Sequence, residues 1–311
     1  MSRHRKARGQ MYRRPVALTS LLALGMAAAI AGVSTLTSEA TAFNDHTSAS
    51  AAAPSSSPAP SASASPSPSS APTTDSKEVV SSGGSSDNTS VLVAPAALGT
   101  TATAPSTPES NRVGALFSGS ISAGNHFCTA SVLHSSTKNL ILTAAHCVSG
   151  TDGVKFVPGY RDGKAPYGSW QVTKVYTTTG WSTDTDEDED FAILQVARDD
   201  GRDIEDVVGG NTLGLKASYT TVVRLYGVPD DSESPILCTN VTTRQDTNQR
   251  RIDCPSYSGG TSGGPWIDTG TGQVIGVIGG YQEGGNTDDT SYSAYFDSTI
   301  GTLYKQAVAD S

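Results

Sequence analysis

Apolar residues recur in short runs along the chain from residue 113 onward: 114–117, 128–133, 139–143, 154–157, 170–176, 191–196, 221–226, 236–243, 273–279 and 291–296. β-Branched and aromatic residues are frequent in them, and turn residues such as Asp162-Gly163 and Pro229-Asp230 separate them. Many short strands with long connections predict an all-β barrel or sandwich. The C-terminal stretch follows another period. Ile300, Leu303, Tyr304 and Ala307 recur at i, i+3, i+4 and i+7, with Ser298 or Thr299 placed to cap them, so a helix is expected at the end. No internal repeat is visible.

Upstream the pattern disappears. Residues 43–112 are mostly Ala, Ser, Pro, Thr and Gly. Such a segment buries too little apolar surface to offset its chain entropy, and it reads as a disordered pro-region or linker. Residues 1–42 read as an export signal. Arg3, Arg5, Lys6, Arg8, Arg13 and Arg14 precede the apolar run 15–36, and Ala40-Thr41-Ala42 offers a small-x-small cleavage site before Phe43. The alternative is an uncleaved membrane anchor, since about 22 residues suffice to span. Thr19, Ser20, Ser34 and several small residues weaken that span. The chain is therefore expected to be secreted, with one compact domain over 113–311.

Charge narrows the partners. Residues 113–311 carry 13 Lys and Arg against 24 Asp and Glu. This excess of acid repels phosphate backbones, so no nucleic-acid partner is expected. The domain is expected to act as a monomer. All four cysteines, Cys128, Cys147, Cys238 and Cys254, lie in it. In an exported chain an even count implies disulfides, with three possible connectivities. Pairing of sequence neighbours, Cys128–Cys147 and Cys238–Cys254, is the simplest. No C-x-x-C pair suggests zinc, and no metal is expected.

Three places carry candidate chemistry. Thr143-Ala144-Ala145-His146-Cys147 follows the apolar run 140–142, so a strand delivers a histidine with a cysteine directly behind it. A Cys128–Cys147 bridge would immobilise that backbone, which matters because misplacing a base by about 1 Å costs about 10²-fold in rate. The alternative is a histidine that merely sits beside a structural cystine. Asp190 ends the acidic stretch 184–190 and abuts the buried Phe191-Ala192-Ile193-Leu194, where a carboxylate can orient a histidine. The other acids of the stretch suit a solvated loop or a calcium site, although Glu189 stands where a calcium loop would want glycine. Ser256–Trp266, SYSGGTSGGPW, is either a Gly/Ser loop or a catalytic turn that holds one reactive serine beside backbone N–H donors.

In the order T-A-A-H-C, D-F-A-I-L and G-T-S-G-G-P, these stretches resemble the chymotrypsin/trypsin-like serine peptidases, including their bacterial secreted branch with glutamyl endopeptidase. The resemblance covers about residues 113–311. It implies two six-stranded antiparallel β-barrels with a cleft between them and a C-terminal helix. It makes His146 the general base and acid, Asp190 its orienter and Ser262 the nucleophile, with the N–H groups of Gly260 and Ser262 as oxyanion hole. His126 and His134 lack the T-A-A-H-C context and read as structural. The implied activity is serine endopeptidase hydrolysis of protein or peptide substrates without a cofactor.

The sequence also departs from the family's pattern. Thr261 stands where many animal members carry an Asp that pairs with a new N-terminal amine, so a switch built on that ion pair is not expected. Arg112-Val113, where the disordered segment would end, is the expected maturation point. The resemblance places the substrate pocket's floor at Ser256 and its walls at Ser258, Gly259, Ile278, Gly279, Gly280 and Tyr281. No Asp lies at that floor and Ile278 replaces the histidine of glutamyl-specific relatives, so an uncharged, medium or aromatic P1 residue is expected. Thr261 also keeps open a catalytically silent homologue that acts as a binding protein.

Overall fold

Alternating apolar positions close the first half of the domain into a barrel. In the computed structural model, residues 97–197 and 200–311 are described, all within one unit spanning Ser85–Ser311. The export signal read over residues 1–42 and most of the segment 43–112 lie outside the described residues. The strands are β1 (Thr101–Thr103), β2 (Val113–Ser118), β3 (His126–Leu133), β4 (Leu140–Thr143), β5 (Val154–Pro158), β6 (Trp170–Tyr176) and β7 (Ala192–Val196) in the first half of the chain order. They continue as β8 (Val222–Gly227), β9 (Ile236–Val241), β10 (Thr243–Arg244), β11 (Gln249–Asp253), β12 (Pro265–Asp268), β13 (Val274–Val277) and β14 (Thr290–Ala294). The helices are α1 (Thr179–Asp184), α2 (Ile204–Val208) and α3 (Ser298–Ala309).

The first barrel is closed in the order β2-β3-β4-β7-β6-β5, all neighbours antiparallel. Leu116, Val132, Ile141, Phe156, Trp170 and Leu194 fill it. The second half has a sheet β1-β9-β8-β12-β13 and a sheet β10-β11-β14. Its two seams close without continuous ladders. Between β13 and β14, Val277 N donates to Ser293 Oγ (3.0 Å) and Gly279 N to Tyr292 O (3.1 Å). Between β9 and the end of β11, the Cys238–Cys254 disulfide and an Asn240 Nδ2 bond to Asp253 O (2.7 Å) take the place of strand pairing. Both disulfides follow the sequence-neighbour pairing.

The same gap receives residues that the sequence pattern assigned to the disordered segment. β1 pairs with β9, setting Thr101 opposite Cys238. On its other side Gly99 N donates to Asp253 O (2.9 Å) and Thr101 Oγ1 to Pro255 O (2.6 Å). The folded domain thus begins ahead of Val113. The Arg112–Val113 bond joins a 3-10 turn, Ser110–Arg112, to β2, and Val113 is buried. It is not the exposed junction expected of a maturation point. Glu109 fastens this strap through Arg224 Nε (2.6 Å), Arg224 Nη2 (2.7 Å) and Tyr226 Oη (2.8 Å). Burial alone would raise the Glu109 pKa, but the Arg224 and Tyr226 hydrogen bonds and the guanidinium charge hold it below its ordinary value. A carboxyl depressed on folding stabilises the fold above its unfolded pKa and loses that contribution as the pH falls through its folded pKa. Glu109→Ala is therefore expected to cost about 2 kcal/mol at neutral pH, and the difference should vanish on acidification below the carboxylate range. Urea denaturation at the two pH values measures it.

Between the halves lies a second apolar cluster that includes Leu133, Leu142, Ile267, Val277 and Phe296, and α3 packs onto it through Ile300, Leu303 and Ala307. The helix is the expected one, but its cap is Asp297, whose Oδ1 accepts from Thr299 N (2.6 Å). A carboxylate one residue earlier reaches the free N–H groups better than the serine or threonine hydroxyl would. Among the described residues no helix is long and apolar enough to cross a membrane.

Candidate active site

His146 leaves the end of β4 after two buried alanines. Their small size has a reason: Ala144 packs where Gly279 passes, and a Cβ on Gly279 would lie 3.2 Å from Ala144 Cβ and 3.0 Å from Asp190 Oδ2. The Cys128–Cys147 disulfide, closing a separation of 19 residues, ties the chain behind His146 to β3. Cys128, His146 and Cys147 lie close enough to suggest a metal cluster, but both sulfurs are committed to the disulfide.

Asp190 ends a 3-10 turn, Glu187–Glu189, just before β7, and its side chain is 0% exposed. A carboxylate so buried must be satisfied by donors. Oδ1 accepts from His146 N (2.9 Å), and Oδ2 accepts from His146 Nδ1 (2.7 Å) and Gly280 N (2.8 Å). The ionised carboxylate accepts only, so the proton sits on Nδ1 and leaves Nε2 with a free lone pair.

Ser262 comes from the second half but is anchored to the first. Its carbonyl accepts from Thr129 N (2.8 Å). Gly263, at φ +80°, donates to Ile278 O (2.7 Å), and a Cβ there would overlap Thr143 Oγ1 and Thr129 O. Only glycine lets this turn press against the end of β4, three residues before His146. Neither Ser262 Oγ nor His146 Nε2 has a hydrogen-bond partner among the described residues.

The peptide linking Gly259 to Gly260 is oriented by its carbonyl, which accepts from Asp230 N (2.8 Å). A trans peptide points its N–H the opposite way, so the Gly260 N–H faces away from Asp230. Thr129 Oγ1 fixes the next carbonyl, Gly260 O, at 2.9 Å. Among the described residues, neither the Gly260 nor the Ser262 N–H donates to a backbone carbonyl. Thr261 is buried, and its hydroxyl donates to Ser258 O (2.6 Å), so an internal bond holds the position expected to lack a charge partner.

Two depressions are lined by Ser262 and by the residues that follow His146, respectively. One of about 340 Å³ is lined by Tyr257, Ser258, Gly259, Thr261, Ser262, Ile278 and segment 283–288. The other, about 660 Å³, lies between Phe127, Cys147 and segment 148–152. Of the expected pocket residues, Ser258, Gly259 and Ile278 line the first. Ser256 does not: it is exposed, in the left-handed region at φ 72°. Gly279 and Gly280 pack instead against Asp190 and Gln249, and Tyr281 stacks edge-on against Tyr292. Tyr257 and segment 283–288 were not visible as lining from the motif alone. Burial pushes the Tyr257 phenol well above its ordinary pKa, and its hydroxyl donates to Leu225 O (2.6 Å).

The remaining expected residues fall outside this centre. His126 Nε2 bonds Ser232 O (3.2 Å), and His134 Nδ1 pairs with Glu205. Three of the acids considered for calcium are engaged by the chain itself: Asp188 accepts from Asn248 Nδ2 (2.7 Å), Asp186 from Asp188 N (3.0 Å) and Glu187 from Gln282 N (3.1 Å).

A closed β-barrel, a second β-half and an Asp–His pair beside a glycine-framed serine at their junction define the architecture of a two-barrel peptidase. Residues 127–277 match the trypsin-like peptidase domain. Over those residues the chain is similar to the chymotrypsin/trypsin-like serine peptidases. It is similar to the protease Anisep from Arthrobacter nicotinovorans, 27% identical over 66% of this chain and 98% of that one, with a TM-score of 0.57. A thermostable serine protease, AL20, from an extremophilic microorganism shares the fold at 23% identity, covering 66% of this chain and 100% of its own, with a TM-score of 0.57. A Glu endopeptidase shares it at 22% identity, 68% and 98% coverage and a TM-score of 0.55. No curated protein sequence matches the chain.

Proposed function

We propose that this protein is a secreted serine endopeptidase in which Ser262, His146 and Asp190 act as nucleophile, base and orienter. The observation that carries the reading is the buried Asp190 carboxylate, which holds both the backbone N–H and Nδ1–H of His146 and so leaves Nε2 free to act as a base. In the reaction Nε2 takes the Ser262 hydroxyl proton as Oγ bonds the substrate carbonyl carbon. The oxyanion accepts from the Gly260 and Ser262 N–H groups, and collapse breaks the C–N bond as Nε2–H protonates the leaving amine. Water then releases the acyl group by the same proton shuttle.

The depression lined by Ser262 leaves room for a substrate side chain beside the proposed nucleophile. The lining beside Ser262 carries Glu283 and Asp288 and no Lys, Arg or His, which disfavours an acidic P1 residue. Two disulfides suit an oxidising compartment, and residues 1–42 supply an export signal. The acidic domain suits protein or peptide substrates rather than nucleic acid, and a monomer accounts for the whole site.

A fluorophosphonate probe is expected to label the protein at Ser262, located by peptide mass mapping, and to leave Ser262→Ala unlabelled. Absence of labelling in the folded wild type would favour the catalytically silent binding protein.

A further inference from the structure

Gln249 opens β11, and its side chain lies almost wholly out of solvent. Nothing in the sequence marks it, since it sits in a polar run, QRRID. Its amide nonetheless joins the two segments that hold Asp190. Nε2 donates to Glu187 O (2.9 Å) and to Asp188 Oδ1 (2.8 Å), both in the turn that delivers Asp190 from the first barrel. Oε1 accepts from Tyr281 N (3.1 Å). The residue before Tyr281 is Gly280, whose N–H binds Asp190 Oδ2. One amide in the second half therefore fixes the chain on both sides of the carboxylate. The fit is close: a Cβ on Gly280 would overlap Gln249 Oε1, and Gly280 also has φ +76°. The neighbouring bonds Asn248 Nδ2–Asp188 Oδ2 (2.7 Å) and Gln282 N–Glu187 Oε1 (3.1 Å) reinforce the same junction.

We propose that Gln249 is a positioning residue for the proposed triad, a cross-barrel clamp that sets Asp190 against His146, with Asp188 as its partner. This rests on the peptidase reading above. A buried glutamine could serve stability alone, but a purely structural amide would not need its two partner segments to adjoin Asp190 and its donor Gly280. The clamp also explains part of the acidic stretch, because Glu187 and Asp188 fasten the loop to the second half.

The test measures the rate constant for labelling Ser262 by a small fluorophosphonate, which reports the triad without depending on the substrate pocket. Gln249→Leu and Gln249→Glu are each expected to slow labelling about tenfold or more. The second variant sets two carboxylates face to face. The downfield NMR signal of the His146 Nδ1 proton separates positioning from mere destabilisation, and it is expected to shift or broaden in folded Gln249→Leu. Wild-type labelling in Gln249→Leu, or an unchanged Nδ1 signal in that variant, overturns the clamp. If the wild type itself is not labelled, the peptidase reading fails, and the clamp is judged by the downfield NMR signal of the His146 Nδ1 proton. A shifted or broadened signal in Gln249→Leu supports it, and an unchanged one rejects it.

Discussion

Alanine at position 262 is expected to lower kcat/KM on a peptide substrate by about 10⁴-fold or more while leaving the fold intact. On the proposed reading the chemistry loses its nucleophile, and only binding and the two proposed N–H donors remain to favour the reaction. The structure loses little. The Ser262 contact that joins the halves is its backbone carbonyl on Thr129 N, which alanine keeps. Among the described residues the hydroxyl makes no hydrogen bond to abandon. His146→Ala should have a similar effect, and the double variant should be little worse than either single one, because the residues act as a unit. Hydrolysis assays paired with urea denaturation check both halves of the claim. A Ser262→Ala enzyme with near-normal turnover would remove the assignment.

Asp190→Asn should be nearly as damaging, for a reason visible in the three hydrogen bonds. The carboxylate meets donors on both oxygens: His146 N at Oδ1, and His146 Nδ1 and Gly280 N at Oδ2. An amide has one oxygen and one NH₂. With NH₂ toward Nδ1, the imidazole must move its proton to Nε2, and the base that should receive the Ser262 proton is gone. With NH₂ the other way, it faces the His146 backbone N–H, and the turn loses its anchor. The expected loss in kcat at neutral pH is about 10⁴-fold, a magnitude taken over from the triad of this family. The stability cost should be about 1–3 kcal/mol from the unmatched buried donors. Activity within tenfold of wild type in steady-state assays would show that Asp190 does not set the tautomer.

The strands of the first barrel were readable because each alternates or runs apolar over enough residues to declare itself. The His146 and Ser262 segments were readable because their local composition is unusual: small residues between a strand and a histidine, glycines around a serine. Other parts carried no such mark. β1 is Thr-Ala-Thr, indistinguishable from the Ala/Ser/Pro-rich stretch before it, and becomes a strand only because β9 has a free edge and the gap beside β11 needs filling. β11 contains two arginines. Arg250 is buried because its guanidinium donates to Ala217 O and Ser218 O (2.6 Å to the latter) and lies over the Tyr219 and Tyr295 rings. The role of Gln249 depends on residues 32 to 62 positions away in the chain. Segment 283–288 reaches the cavity through a turn with Gln282 and Glu283 in left-handed conformations, which neither residue type announces.

The Thr129 hydroxyl donates to Gly260 O at 2.9 Å and accepts from Val228 N at 2.8 Å. One small side chain of the N-terminal barrel is thereby threaded into two loops of its neighbour, within two residues of the proposed nucleophile. Modular recombination at this border is constrained accordingly: a C-terminal half borrowed from a relative would bring compatible chemistry only if the donor's loops were built around the same methyl-and-hydroxyl peg.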